Sequence, residues 1–248
     1  MYRTYIDSFD YHLWYNPALK NGPQKVKLIH ITPEIKHALI ELYESKCNNN
    51  KLSNNKLINT FKQQIEKNID PCTKYFIKLS GTSGKNEKSI NMFDNADEIL
   101  KHLVSVKLFV DQEYKRTDKE TYLILVKWDD KIDLRYEFRI FVVNNKITGI
   151  SQQSKKLFNY SQEELETIEK ALNNISFINE LPYDTCILDV YIDMENCICN
   201  LIEINPFGAH CGAGASLFKW DDDYDLLNNN NLINNHIIEF RYLSIINI

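Results

Sequence analysis

At 248 residues the chain suits one large domain or two small ones, and 44% hydrophobic with 25% charged residues is the balance of a globular protein with a real core. A net charge of −5 excludes a molecule-wide attraction for polyanions, so any nucleic-acid contact needs a local basic patch. No apolar run reaches transmembrane length, the N-terminal stretch MYRTYIDSFDYHLWYN lacks an apolar signal core, and the scattered cysteines (Cys47, Cys72, Cys186, Cys197, Cys199, Cys211) form no CxxC pair, which predicts a soluble cytoplasmic protein with reduced thiols and no membrane partner.

In chain order, the first clear helix opens at ITPEIKHALIELYESK, with Thr32 as N-cap, Pro33 at the first helical position and Ile35, Ala38, Leu39 and Leu42 as its apolar set. A second helix runs through NKLINTFKQQIEKNI, with Leu57, Phe61 and Ile65 on one face. Lys74–Leu79 (KYFIKL) reads as a strand that ends in the Gly-containing loop SGTSGKN, and a helix follows Asn95. Tyr122–Trp128 (YLILVKW) is a short apolar strand. Tyr136–Val143 and Lys146–Ser151 flank Asn144-Asn145, a two-residue hairpin turn. Ser161 and Glu164 form a capping box ahead of Leu165, Ile168, Leu172 and Ile175. The Asn tracts at Asn48–Asn55 and Asn228–Asn235 carry no functional weight. Helices before and between antiparallel hairpins predict an α+β fold.

The last hairpin, LDVYIDMENCICNLIEINPFGAH (Leu188–His210), holds the chemistry. Side chains alternate faces along a strand, so Glu203 and Asn205 point the same way, about 7 Å apart. A three-residue turn at Met194-Glu195-Asn196 pairs odd with odd positions and brings Asp189 onto that face, leaving Leu188, Val190, Ile192, Ile202 and Ile204 for the core. Two carboxylates and an amide oxygen this close repel unless a cation sits among them, and hard oxygen donors suit Mg²⁺. A solvated sheet face that carries acids by chance is the competing reading, and spacing does not separate the two.

Other residues add to either side. Lys78 interrupts KYFIKL just before Gly81 and Gly84, whose backbone amides can approach a phosphate; it can equally be a snorkelling surface lysine. Glu137 and Arg139 share a face of YEFRIFVV, as an ion pair or with Arg139 holding a phosphate. Lys127 and Trp128 end an apolar strand that can wall and hinge a flat base. Two basic clusters (Lys115, Arg116, Lys119; Lys155, Lys156) can track a polyanion backbone or stay solvated and silent. Cys197, Cys199, His210 and Cys211 suggest zinc but meet no zinc-ligand spacing, so the cysteines read as structural thiols, and Asp221–Asp225 after Trp220 reads as a partner-binding acidic patch or, more simply, as an acidic helix start.

The order of Lys-strand, Gly loop, apolar hinge strand, EFR strand, acid strand and Glu-x-Asn strand resembles an ATP-grasp nucleotide site, and within that class the cell division cycle protein 123 family. YHLWY (Tyr11–Tyr15), KYFIKLSGTSGKN (Lys74–Asn86), LILVKW, YEFRIFVVNNKITGISQ (Tyr136–Gln152), LDVYID, LIEINPFG (Leu201–Gly208) and SLFKWDD carry the resemblance, in order over nearly the whole chain. It implies two α+β subdomains clasping Mg-ATP between antiparallel sheets, divided here as 1–120 and 121–248. It implies Lys78 as a phosphate ligand, Ser80, Gly81, Gly84 and Lys85 as a cover over the phosphates, and Lys127 and Trp128 at the adenine. Asp189, Glu203 and Asn205 would hold magnesium, with Arg139 and its neighbour Glu137 at the nucleotide and Arg139 and Lys78 as the catalytic pair. Three positions depart from the family's pattern: Glu203 stands where Asp is usual, Gln153 where Arg follows GISQ, and the Gly-rich loop Gly208–Ser216 where an acidic TDSLLF is usual.

The broader fold implies a ligase that phosphorylates an anionic acceptor before a nucleophile displaces the phosphate, and RNA ends (a terminal phosphate and a hydroxyl) are one such acceptor pair. Eukaryotic family members imply an ATP-binding assembly chaperone for the gamma subunit of translation initiation factor 2. A nucleotide-binding module without turnover is the third possibility. The presence of Lys78, Arg139, Asp189, Glu203 and Asn205 together speaks against that third possibility, and between the other two the ligase reading is preferred.

Overall fold

The computed structural model describes residues 2–23, 25–47, 56–83, 92–228 and 238–243. In chain order the elements are α1 (Tyr2–Asp7), α2 (Tyr11–Trp14), β1 (Val26–His30), α3 (Pro33–Cys47), α4 (Lys56–Asn68), β2 (Tyr75–Leu79), β3 (Met92–Phe93), α5 (Ala96–Leu103), α6 (Lys107–Phe109), β4 (Tyr122–Lys127), β5 (Glu137–Val143), β6 (Lys146–Gln152), α7 (Gln162–Asn173), β7 (Cys186–Asp193), β8 (Ile198–Asn205), α8 (Trp220–Leu227) and β9 (Glu239–Arg241). A π-helical turn, Val110–Tyr114, continues α6. Among the described residues the strands form two sheets, ordered β1-β4-β2-β3 and β8-β7-β5-β6-β9. The pairings are antiparallel except β6 with β9, which gives the mixed α+β architecture expected of the sequence.

The chain divides into two compact units. The first comprises Asp10–His12 and Gln24–Trp128, and the second Met1–Phe9, Leu13–Pro23 and Asp129–Ile248. The division therefore falls at Trp128/Asp129 rather than at the expected 120/121. Its cause is β4, which is hydrogen-bonded to β1 on one side and β2 on the other and so belongs inside the first sheet.

In the first unit, helices cover the sheet through Leu39, Phe61, Ile65, Ile77, Ile99 and Leu125, all fully buried. On α4 the buried face is Ile58, Phe61 and Ile65, while Leu57 is exposed, so the apolar stripe begins one residue later than expected. Asn95 caps α5 by accepting the Glu98 N–H (2.9 Å).

In the second unit, α7 begins with both halves of its capping box: Ser161 Oγ accepts from Glu164 N–H (3.1 Å) and Glu164 Oε2 accepts from Ser161 N–H (2.7 Å). The β5–β6 turn is Asn144-Asn145, with φ of 52° and 59°, the left-handed pair that a two-residue hairpin requires. Phe141 packs edge-on against Phe207, Phe218 and Trp220. Gly149 faces the same cluster so closely that a Cβ would lie 2.8 Å from Leu227 Cδ2 and 3.1 Å from Phe218 Cζ.

Candidate functional site

The β7–β8 hairpin reaches the expected arrangement by a different route. Asp193 pairs with Ile198, so four residues, Met194 to Cys197, make the turn rather than three. Cys197, at φ 53°, belongs to this turn and not to the strand. A four-residue turn alone would have placed Asp189 out of step with Glu203. A β-bulge between Asp189 and Val190 restores the step: Val190 pairs with Leu201, then Asp189 with Glu203, leaving Ile202 as the extra residue. Leu201 is consequently buried and Ile202 only half-buried, reversing the expected core assignment of Ile202. Asp189 and Glu203 sit opposite each other, and Arg139 on β5 pairs with Asp189 from the other side.

Arg139 is committed. Its Nε donates to Asp189 Oδ1 (2.7 Å), its Nη2 to Asp189 Oδ2 (2.8 Å), and its Nη1 to the Gly214 carbonyl. This is the fork-to-carboxylate geometry in which Arg excels. Burial by itself pushes the guanidinium pKa down, but Asp189 and more weakly Glu203 outweigh it and hold Arg139 above its ordinary value. Asn205 Nδ2 also donates to Asp189 Oδ2 (3.1 Å), so the amide oxygen is turned away from that carboxylate. The second unit thus gathers Arg139, Asp189, Glu203 and Asn205 on one sheet face, with Glu137 two residues along β5 on the same side. The Gly-rich loop joins them through Gly214, and Ser216 Oγ donates to Gln153 Oε1 (3.4 Å).

The oxygen chemistry fits a divalent cation held with nucleotide phosphates. Two carboxylates face each other, and Arg139 neutralises one of them. Among the described residues no group of three or more His, Cys, Asp or Glu is placed to hold a metal by itself.

The first unit holds Lys78. Its side chain is 4% exposed, and its Nζ lies 4.0 Å from the centre of the Tyr11 ring, so it is a buried cation over an aromatic face and not a surface lysine. Ser80 Oγ accepts from the Tyr122 N–H (2.8 Å), and its carbonyl accepts from the Tyr11 N–H (2.8 Å). The Gly81 N–H, expected to be open to a phosphate, donates instead to Glu113 Oε1 (3.0 Å). Gly84 and Lys85 lie outside the described residues. Lys127 is exposed at the end of β4, and the Trp128 N–H donates to the Lys74 carbonyl (2.8 Å).

The basic cluster at Lys115, Arg116 and Lys119 is neutralised within the fold. Lys115 pairs with Asp111 (2.9 Å) and Arg116 with Asp118 (3.3 Å). Lys119 is buried between Asp10 (3.0 Å) and Glu113 (3.2 Å). It offers no track for a polyanion; Lys155 and Lys156 remain exposed. The acidic run after Trp220 opens α8, where Asp223 takes Arg241 in a two-point pair (2.7 and 2.8 Å). The cysteines are free thiols, and burial pushes the Cys186 thiol up to about 12, which keeps it inert.

Residues 36–247 match the D123 family model. The chain belongs to the D123 family. It is 28% identical over 244 residues to a CDC123-like protein of Acanthamoeba polyphaga mimivirus, covering 89% of this chain and 71% of that one. It is 35% identical over 109 residues to the translation initiation factor eIF2 assembly protein of Kluyveromyces lactis, where the match covers 40% of this chain and only 27% of that protein. The structure of Cdc123 from Schizosaccharomyces pombe superposes with a TM-score of 0.71 at 20% identity, covering 96% of this chain and 97% of that one, so the D123 chain shares its fold. Among the described residues no helix is long and apolar enough to cross a membrane.

Sequence reasoning missed Glu113, Asp10 and the burial of Lys36 and Lys119. Lys36 is 3% exposed, with its Nζ donating to the Arg116 carbonyl (2.8 Å) and to that of Lys119. Their partners are 6 to 109 residues away in the chain, and nothing in the local pattern marks a carboxylate whose donors come from four separate positions.

Proposed function

We propose that this D123 protein binds Mg-ATP and acts in the cytoplasm as an assembly factor for translation initiation factor 2, with the gamma subunit as its partner. The observation that carries the choice of binding over phosphoryl transfer is Arg139. A guanidinium that is to stabilise a transferred phosphoryl group needs donors directed at it. The Arg139 donors at Nε, Nη1 and Nη2 are turned onto Asp189 and Gly214. The relatives named as eIF2 assembly proteins support the same side.

In this reading Glu203, Asn205 and Asp189 would hold a magnesium ion, which would supply positive charge to nucleotide phosphates. Arg139 fixes the orientation of the Asp189 carboxylate through its two-point pair, and it ties the Gly-rich loop to the sheet through Gly214. Lys78 takes a phosphate oxygen, Tyr11 steadies its ammonium, and the end of β4 at Lys127-Trp128 borders the base. The catalytic roles given to Arg139 and Lys78 belong to a second reading, an ATP-grasp ligase acting on an anionic acceptor such as an RNA end. One observation favours that reading: Gly214, in the loop that departs from the family pattern, contacts Arg139 directly.

The test combines calorimetric binding of Mg-ATP, co-elution with a purified gamma subunit with and without ATP, and chromatographic assay of ADP and AMP in the presence of RNA with defined ends. ATP-dependent co-elution without RNA-stimulated turnover is expected. RNA-dependent turnover with a joined product overturns the assembly reading in favour of the ligase.

A further inference from the structure

The carboxylate of Glu113 is 0% exposed and accepts from four donors. Oε1 takes the Gly81 N–H (3.0 Å), the Thr82 hydroxyl (3.0 Å) and the Lys119 ammonium (3.2 Å), and Oε2 takes the Thr121 hydroxyl (3.3 Å). A buried carboxylate survives only with such a complement of partners. It reaches the interior because Val110–Tyr114 is a π-helical turn, closed by the Lys115 N–H on the Val110 carbonyl (3.0 Å). Such turns widen the helix and re-aim one side chain, and they recur at functional sites.

The position of the pin matters more than its strength. Gly81 and Thr82 follow Lys78, on β2, by three and four residues. The Gly81 backbone lies so close to the charged cluster that a Cβ would stand 2.6 Å from Asp10 Oδ1 and 2.8 Å from Lys119 Nζ. Asp10 adjoins Tyr11, whose ring lies under Lys78 and whose N–H holds Ser80. Glu113, Lys119 and Asp10 therefore form one ion network beneath the segment Lys78–Thr82.

We propose that Glu113 is a positioning residue for nucleotide phosphates: by holding Gly81 and Thr82 it sets the course of the chain after Lys78, and it acts on phosphate recognition without touching the ligand. The inference rests on the nucleotide-binding reading above. It concerns the phosphate end alone, so its signature is a change in the ratio of ATP to AMP affinity, which a general loss of structure would not produce.

The experiment is calorimetric titration of the full chain and its Glu113→Gln variant with Mg-ATP and, separately, with AMP. The expected result is a fall in the ATP-to-AMP affinity ratio of about tenfold, the scale on which supporting partners of a ligand site act. Thr82→Val, which removes a single donor, should lower the ratio in the same direction by less, and it replaces Glu113→Gln if that variant does not fold. An unchanged ratio with the wild type binding ATP overturns the inference and leaves the nucleotide reading standing. A wild-type protein that binds neither ligand overturns both.

Discussion

Asp189 and Arg139 occupy facing positions on β7 and β5, each with a side chain about one-tenth exposed (10% and 10%). Two charges withdrawn from water this far depend on each other: removing one leaves the other without compensation, at a cost of about 3 kcal/mol or more. Arg139→Ala should therefore lower stability by about 3 kcal/mol in magnesium-free buffer, measured by urea unfolding. The stranded Asp189, beside Glu203, then becomes a better cation site, so magnesium should restore part of that loss in the variant and do much less for the wild type. Equal magnesium effects on the two proteins would argue against Asp189 as a ligand. His102 is a second buried polar residue, with the opposite sign. It lies between Phe93 and Phe109, and its Nε2 has no hydrogen-bond partner among the described residues. Burial pulls its pKa down, so the folded state favours the neutral ring. Its stability penalty is absent above the unfolded-state pKa of about 6.5 and grows as pH falls below it. In melting curves from pH 8 to pH 5, His102→Leu should gain on the wild type as the solution is acidified. A gap that does not change with pH would show that His102 is not held neutral.

At the scale of elements, α7 shows how much a local pattern can say. Ser161 and Glu164 are spaced as a capping box, and both bonds form. Glu164 does more than its spacing announces: the Tyr136 hydroxyl, the Ser161 N–H and Arg135 together lower its pKa to about 2. A depressed carboxylate contributes stability above its unfolded pKa and loses it as pH falls through the folded one. Glu164→Gln should cost about 1 kcal/mol at neutral pH. The difference from wild type should hold above roughly pH 5 and shrink steadily toward pH 2, read from acid-dependent melting by circular dichroism. A constant difference across that range would remove the carboxylate's charge from the account. The β7–β8 hairpin shows where local pattern fails. Asp189, Glu203 and Asn205 were legible because strand alternation has a period of two, yet the turn length and the bulge at Ile202 were not: each alone shifts the register by one and flips the face, and only together, as a shift of two, do they return the side chains to the same face. β1, β3 and β9 escaped notice for a related reason. They are strands of five, two and three residues whose pairing is decided by distant partners. Glu113 was illegible outright, since DQEY (Asp111–Tyr114) reads as a solvated helix face and its burial depends on a π turn that no spacing rule signals.

For the whole molecule, the two units carry separate cores. In the first, Phe61 is fully buried among Leu39, Ile65, Ile77 and Ile99; in the second, Phe141 is fully buried with Ile187, Phe207 and Phe218 nearby. The chain passes through them unevenly, with Asp10–His12 in the first unit while the residues on either side belong to the second. Cores of this kind tend to open as separate cooperative blocks. Phe61→Ala removes a ring from the first core and should cost about 3–5 kcal/mol there. Converted at 1.4 kcal/mol per tenfold, amide hydrogen exchange in β2, β4, α4 and α5 should accelerate by roughly a hundredfold or more, up to the limit of that unit's stability. Exchange in β5, β6 and β7 should stay near the wild-type rate. The measurement is native-state exchange followed by mass spectrometry on peptides from each unit. Acceleration confined to the first unit means that residues such as Lys78 and Glu113 can be varied without unfolding the acidic hairpin, so losses of nucleotide affinity in those variants report on the site itself. Equal acceleration in both units would mean one cooperative body, and every binding defect would then have to be corrected for stability before it could be assigned to a residue.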